Sequence, residues 1–114
     1  MADPRHFLPL NPRDYLVLFS LTAGRRHGYG IVREVEEQSG GVVKMDPSNL
    51  YRSLKRLMQQ GLVEESDALM DADDERRRFY SITALGTQVV ALEAARLGKL
   101  TEAAHDRHLI PDSR

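Results

Sequence analysis

The stretch "MDPSNLYRSLKRLMQQGLV", residues 45–63, restricts the fold more than any other part of the chain. Asp46 can cap a helix, Pro47 suits the first helical position, where a missing N–H costs nothing, and Gly61 supplies a stop. At 100° per residue, Leu50, Leu54, Leu57 and Met58 share one arc. Ser48, Arg52, Lys55, Arg56 and Gln59 occupy the opposite arc, with Asn49 near its edge and Tyr51 on the boundary. The apolar arc demands a core to lie on. The outward face from 48 to 59 has no carboxylate, whereas a solvated face usually mixes both signs.

Two further helices precede this one. "NPRDYLVLFSLTAG" opens with Asn11 as N-cap, Pro12 at the first helical position and Asp14 in the first turn, where the helix dipole favours an anion. Leu16, Val17, Leu18, Phe19 and Leu21 cover most of its circumference, which predicts burial on several sides, and Gly24 is its stop. In "RRHGYGIVREVEEQSGG", a turn around Gly28 and Gly30 leads into a helix with Ile31, Val32 and Val35 inward and Glu34, Glu36, Glu37 and Gln38 outward. Gly40 and Gly41 end it. "MADPRHFLPL", with Pro4 and Pro9, reads as extended.

After the third helix, "LVEES" (62–66) and "RFYSI" (78–82) are strand candidates joined by the polar loop 67–77, a hairpin with a long tip. Thr83 caps a last helix that runs toward Pro111. Unbroken to Leu109 it would reach roughly 40 Å, longer than a core of this size is wide. Its apolar stripe, Leu85, Val89, Leu92, Leu97 and Leu100, therefore predicts a second copy as partner, although packing on its own core would use the same residues. The expected fold is mainly α with a small β-hairpin: a winged helix-turn-helix plus a long C-terminal dimerisation helix. Residues 1–10 form an N-terminal extension, 11–83 the winged domain, 84–110 the dimerisation helix and 111–114 a tail.

Composition removes several functions. The 16 Lys plus Arg against 17 Asp plus Glu leave a formal charge of -1, so attraction to nucleic acid has to come from local clustering. There is no cysteine, hence no disulfide, thiolate nucleophile or cysteine-bound zinc. No apolar run approaches the roughly 20 residues of a bilayer span, and the N-terminus does not read as a signal peptide, so the cytoplasm is the expected location. "DADDE" lacks the glycine and glutamate that a calcium loop needs, since those positions hold Arg76 and Ile82. His105 and His108 share a helical face without a third ligand, and a solvated helix end explains them better than a metal. No nucleophile elbow, phosphate-binding glycine loop or zinc-protease motif occurs. Neither enzyme activity nor a cofactor is expected.

These residues resemble the PadR-like winged-helix transcriptional regulators. The resemblance rests on "HGYGI" (27–31), on "NLYRSLKRLMQQGLV" (49–63), which is similar to the family's "TLYPALRRLEREGLI", and on "RRFYSIT" (77–83) followed by Gly86. It covers roughly residues 12–90, in the family's order and spacing. The resemblance implies a homodimer in which the last helix, packing also against the partner's first helix, joins two winged helices. It also implies repression of nearby genes, often lifted by a phenolic or hydrophobic small molecule. The chain departs from the pattern at Arg52, where proline is usual, and at Pro47. The single last helix looks like the short-tailed subgroup, some of whose members hold planar drugs between tryptophans. This chain has no tryptophan, so that pocket does not transfer.

The expected partner is double-stranded operator DNA. Ser48, Asn49 and Arg52, near the helix N-terminus, are candidates for base readout, and Tyr51, Lys55 and Arg56 for phosphate, along with Arg76, Arg77 and Arg78 at the wing. Each has a plainer reading. An ordinary surface helix also carries Lys and Arg, Tyr51 could simply pack, and the wing arginines could pair with Asp71, Asp73, Asp74 and Glu75. A winged helix that meets an acidic protein instead of DNA is the rival from another class; Ser48 and Asn49 beside the cations suit groove reading better. Operator and effector identity are not encoded in any motif.

Overall fold

The computed structural model describes residues 2–66 and 78–111. Arg76, Arg77 and the acidic loop tip lie outside the described residues. The elements in chain order are α1 (Pro12–Leu21), β1 (Arg26–His27), α2 (Gly28–Gln38), α3 (Pro47–Gln59), β2 (Val63–Ser66), β3 (Phe79–Ile82) and α4 (Ala84–Asp106).

Local chemistry sets the helix starts. The side chains of Asn11, Asp46 and Thr83 accept the N–H of Asp14, Asn49 and Gly86 at 2.8, 2.8 and 2.9 Å. Each removes one of the unpaired donors at a helix N-terminus, an effect of about 1 kcal/mol per cap. His27 caps α2 in the same manner, its Nδ1 accepting the Gly30 N–H at 3.4 Å. α2 stops where Gly40 and Gly41 take left-handed φ of 63° and 82°, and the Gly41 N–H returns to the Glu36 carbonyl at 2.8 Å.

Two expectations need correction. Residues Pro4–Phe7 form a 3-10 turn instead of an extended arm, because Asp3 caps the turn and Pro4 occupies its first position, where proline is favoured. The wing is not a bare hairpin: β1 adds a third strand, giving the antiparallel order β1-β3-β2 with His27 opposite Phe79 and Tyr80 opposite both Arg26 and Glu65.

The core forms where the three first helices, the sheet and the start of α4 converge. Leu18, Leu21, Ile31, Val35, Leu54, Leu57, Leu62 and Val89 are fully enclosed. Burying a side chain of this kind contributes roughly 1.5–3 kcal/mol, so the apolar arc of α3, through Leu50, Leu54 and Leu57, is what fixes that helix on the body. Gly86 belongs to the same packing. A β-carbon there would collide with the Leu62 carbonyl oxygen and lie 2.8 Å from Ile82 Cγ1, so only glycine lets α4 start this close to the chain entering β2.

α4 spans about 35 Å at 1.5 Å per residue, shorter than the full run to Leu109. Its stripe divides by depth. Val89 has no exposed surface and packs wholly within its own protomer, and Leu85 is half-buried against the same core. Leu92 and Leu100 remain 37% and 56% exposed, and Leu97 is half-buried. Between them Glu93 is buried: it accepts the Leu10 N–H at 2.9 Å and two bonds from the Arg96 guanidinium, tying the segment before α1 to α4.

Candidate nucleic-acid interface

The face of α3 turned from the core presents Ser48, Tyr51, Arg52 and Lys55 to solvent, with Asn49 half-buried beside them. Tyr51 keeps 61% of its surface exposed. Among the described residues, neither Arg52 nor Lys55 has an ion-pair partner. Two cations, a hydroxyl and an amide thus stand free at the N-terminal half of one helix, where phosphates and base edges can be met.

Arg56 is placed differently from its helical-wheel neighbours. Its Nε and Nη2 donate to the two carboxylate oxygens of Asp14 at 2.9 and 2.8 Å, a fork that spans from α3 to the first turn of α1. Asp14 is 4% exposed, so the pair neutralises a buried carboxylate and raises the guanidinium pKa further through that hydrogen bond. Arg56 is therefore a brace that sets how α3 lies against α1. Ser53, one turn earlier and buried, accepts from the same guanidinium at 3.4 Å.

At the wing, Arg78 is exposed and donates to Glu65 across the β2–β3 pair at 3.1 Å, a contact that water weakens. Asp71, Asp73, Asp74 and Glu75, the loop carboxylates that the wing arginines could pair with, lie outside the described residues.

Sequence reasoning missed a second group of cations. Arg25 lies over the Phe79 ring at 5.0 Å and Arg33 over the Tyr29 ring at 5.9 Å, with His27 between the two rings, 5.9 Å from Phe79 and 6.3 Å from Tyr29. The i,i+4 spacing of Tyr29 and Arg33 was a usable signal. The Arg25 contact was not, since it depends on β1 pairing with β3. Arg26, next to them, is spent on Glu34 at 2.7 Å.

An open groove of about 770 Å³ separates the N-terminal ends of α2 and α3 and reaches β3. Its lining combines the apolar Val32, Met45 and Leu50 with Tyr29, Tyr51, Tyr80 and Arg78.

The sequence model for the transcriptional regulator PadR-like family matches residues 17–92, more than half of the chain. The chain belongs to the PadR-like family of transcriptional regulators. PadR-like proteins are regulators of transcription and not enzymes. The chain is 31% identical over 91 residues, 80% of its length, to an uncharacterized 37.1 kDa protein in transposon TN4556 of Streptomyces fradiae, of which it spans about a quarter (24%). A PadR family regulator from Clostridium difficile superposes with a TM-score of 0.73 at 19% identity, covering 84% of this chain and 97% of that one. BpsR of Bordetella bronchiseptica, described for regulation of its DNA binding by 6-hydroxynicotinic acid, gives 0.66 at 19% identity, covering 82% of this chain and 64% of that one. At such identities the two structures establish the winged-helix fold alone. No helix among the described residues is long and apolar enough to cross a membrane.

Proposed function

We propose that the chain is a homodimeric, sequence-specific DNA-binding repressor of the cytoplasm, with α3 as its recognition helix. The observation that carries this reading is the pair of cations, Arg52 and Lys55, without an ion-pair partner among the described residues, on an exposed helix face that also offers Ser48 and Asn49. Ser48, Asn49 and Arg52 lie in the first half of α3, the part a helix-turn-helix protein inserts toward base edges. Tyr51, Lys55 and the wing arginines, Arg76 to Arg78, hold phosphates. Arg56 acts one step back, keeping α3 at a fixed angle through Asp14.

Dimerisation uses the exposed part of α4, with Leu92, Leu97 and Leu100, and two-fold symmetry sets the half-sites about 34 Å apart or a multiple of that. Control by a small hydrophobic or phenolic effector completes the proposal, and the regulation of BpsR by 6-hydroxynicotinic acid supports it by analogy of fold.

Fluorescence anisotropy with DNA from immediately upstream of the gene, repeated across salt concentrations beside a scrambled fragment, tests the reading. With about eight phosphate contacts, log affinity falls against log salt with a slope near -7. The native fragment binds more tightly by several kcal/mol. Absence of binding at low salt refutes it.

A further inference from the structure

Four positions on α3 face straight away from the protein body. The buried residues of the helix are Leu50, Ser53, Leu54 and Leu57. At 100° per residue, the direction opposite them passes through Ser48, Arg52, Lys55 and Gln59, each within roughly 30° of it and each exposed. Asn49 and Tyr51 flank this row on its two sides, roughly 70–90° from the same direction.

Arg52 is the guanidinium of that row, and the protein does not occupy it. Its neighbours one turn away are Ser48, Asn49, Lys55 and Arg56, and α3 contains no carboxylate. Among the described residues Arg52 makes no ion pair. Arg56 is tied to Asp14 by two bonds and so held back from the row, while Lys55, a like charge, repels the Arg52 side chain from lying back along the helix. At the N-terminal tip the exposed Asp46 carboxylate accepts the Asn49 N–H at 2.8 Å. An anion thus already sits on the positive end of the helix dipole, which disfavours a phosphate there and leaves the tip to base edges.

A guanidinium offers donors in a planar fork and no acceptor. Guanine presents two acceptors side by side in the major groove, O6 and N7, whereas adenine sets its N7 beside an N6 amino group, which would meet the fork donor to donor. An ammonium has no fork and discriminates less. We propose that Arg52 fixes operator sequence by reading one guanine per half-site through O6 and N7, while Lys55 contributes affinity without base choice. This rests on the reading of α3 given above and deepens it from a basic face to a base preference. Two-fold symmetry repeats the guanine on the opposite strand of the other half-site. Arg52 is also where the chain departs from the PadR-like motif, in which proline, a side chain without a donor, is usual.

The test selects duplexes from a random-sequence library with the full-length protein, in parallel for wild type, Arg52→Ala and Lys55→Ala. Wild type is expected to return inverted half-sites with a fixed guanine in each. With Arg52→Ala that position becomes degenerate while the others hold, and with Lys55→Ala the guanine stays. In anisotropy, adenine in place of the selected guanine weakens wild type about 5- to 150-fold. Substitution by 7-deazaguanine, which lacks the N7 acceptor, weakens it about fivefold or more and leaves Arg52→Ala unchanged. Arg52→Lys, with the charge but not the fork, falls between. The same consensus from wild type and Arg52→Ala, a consensus without guanine, or indifference to 7-deazaguanine at every selected guanine overturns the proposal while the reading of α3 stands. No enrichment of any sequence by wild type refutes that reading and the proposal with it, so the two failures are distinguishable.

Discussion

The Arg56 guanidinium on α3 holds the buried Asp14 carboxylate of α1 in a two-bond fork, 42 positions apart in sequence. The two partners are unequally placed: the Asp14 side chain is 6% exposed and that of Arg56 is 43%. Removing the cation strands a desolvated carboxylate, whereas removing the acid frees a guanidinium that water can reach. Arg56→Ala is therefore expected to destabilise by about 2–3 kcal/mol in urea unfolding, and Asp14→Ala by less. Arg56→Lys recovers only part of the loss, because an ammonium cannot form the fork.

Arg52→Ala and Lys55→Ala should behave in the opposite way. Both side chains are exposed and, among the described residues, have no ion-pair partner, so unfolding stability stays within about 0.5 kcal/mol of wild type. Operator affinity falls in each, and the salt slope measured by anisotropy becomes shallower by about one per lost phosphate contact. An unchanged slope in the double variant removes the basis for the recognition helix.

Glu93 makes acid sensitivity predictable in sign. The hydrogen bond from Arg96 lowers its pKa most, burial opposes this, and the Leu10 N–H adds to the lowering. A folded-state pKa below the unfolded one means stability that is complete above the ordinary glutamate range, near pH 4.3, and lost as pH falls through the lower folded value. Urea midpoints measured downward from about pH 5 should decline, and Glu93→Gln should flatten part of that decline while destabilising at neutral pH by about 1–3 kcal/mol.

Gly86→Ala tests the tightest of the described glycine positions. The added methyl meets the Leu62 backbone carbonyl, which cannot rotate away as a side chain would. A loss of at least about 2 kcal/mol in thermal or urea unfolding is expected, of the size seen for overpacked cores. Gly98→Ala has open space around it and should be neutral or stabilising, up to about 1 kcal/mol.

Self-association should follow exposure along α4. Leu92→Glu and Leu100→Glu are expected to shift sedimentation at micromolar protein from dimer toward monomer. Val89→Ala, fully enclosed in the protomer, lowers thermal stability through the lost packing and cavity, with no specific effect on the association constant.

Helix starts were legible because their signals are local: Asn11 with Pro12, Asp46 with Pro47, and Thr83 each act within a single turn. The strand β1 was not, since two residues have no periodicity and pair only because β3, more than 50 positions later, lies beside them. At Pro4 two proline preferences compete, and the Asp3 cap decides for a turn. A helical wheel puts Arg56 with the outward cations but cannot register an acid on another helix. The α4 stripe reveals an apolar face without saying what covers it, so the sequence alone does not separate Leu85 and Val89 from Leu92 and Leu100.

The contact of Gly86 with Leu62 has a consequence for operator architecture. On the proposed reading, in which α4 joins two copies and α3 meets DNA, the lack of room for a side chain between α4 and the chain entering β2 couples the two helices, and the distance between two reading heads is expected to behave as a ruler. Operators with one or two base pairs inserted between half-sites then have to be met by deforming DNA, about 3.4 Å of rise and a tenth of a helical turn per inserted pair, and not by flexing protein.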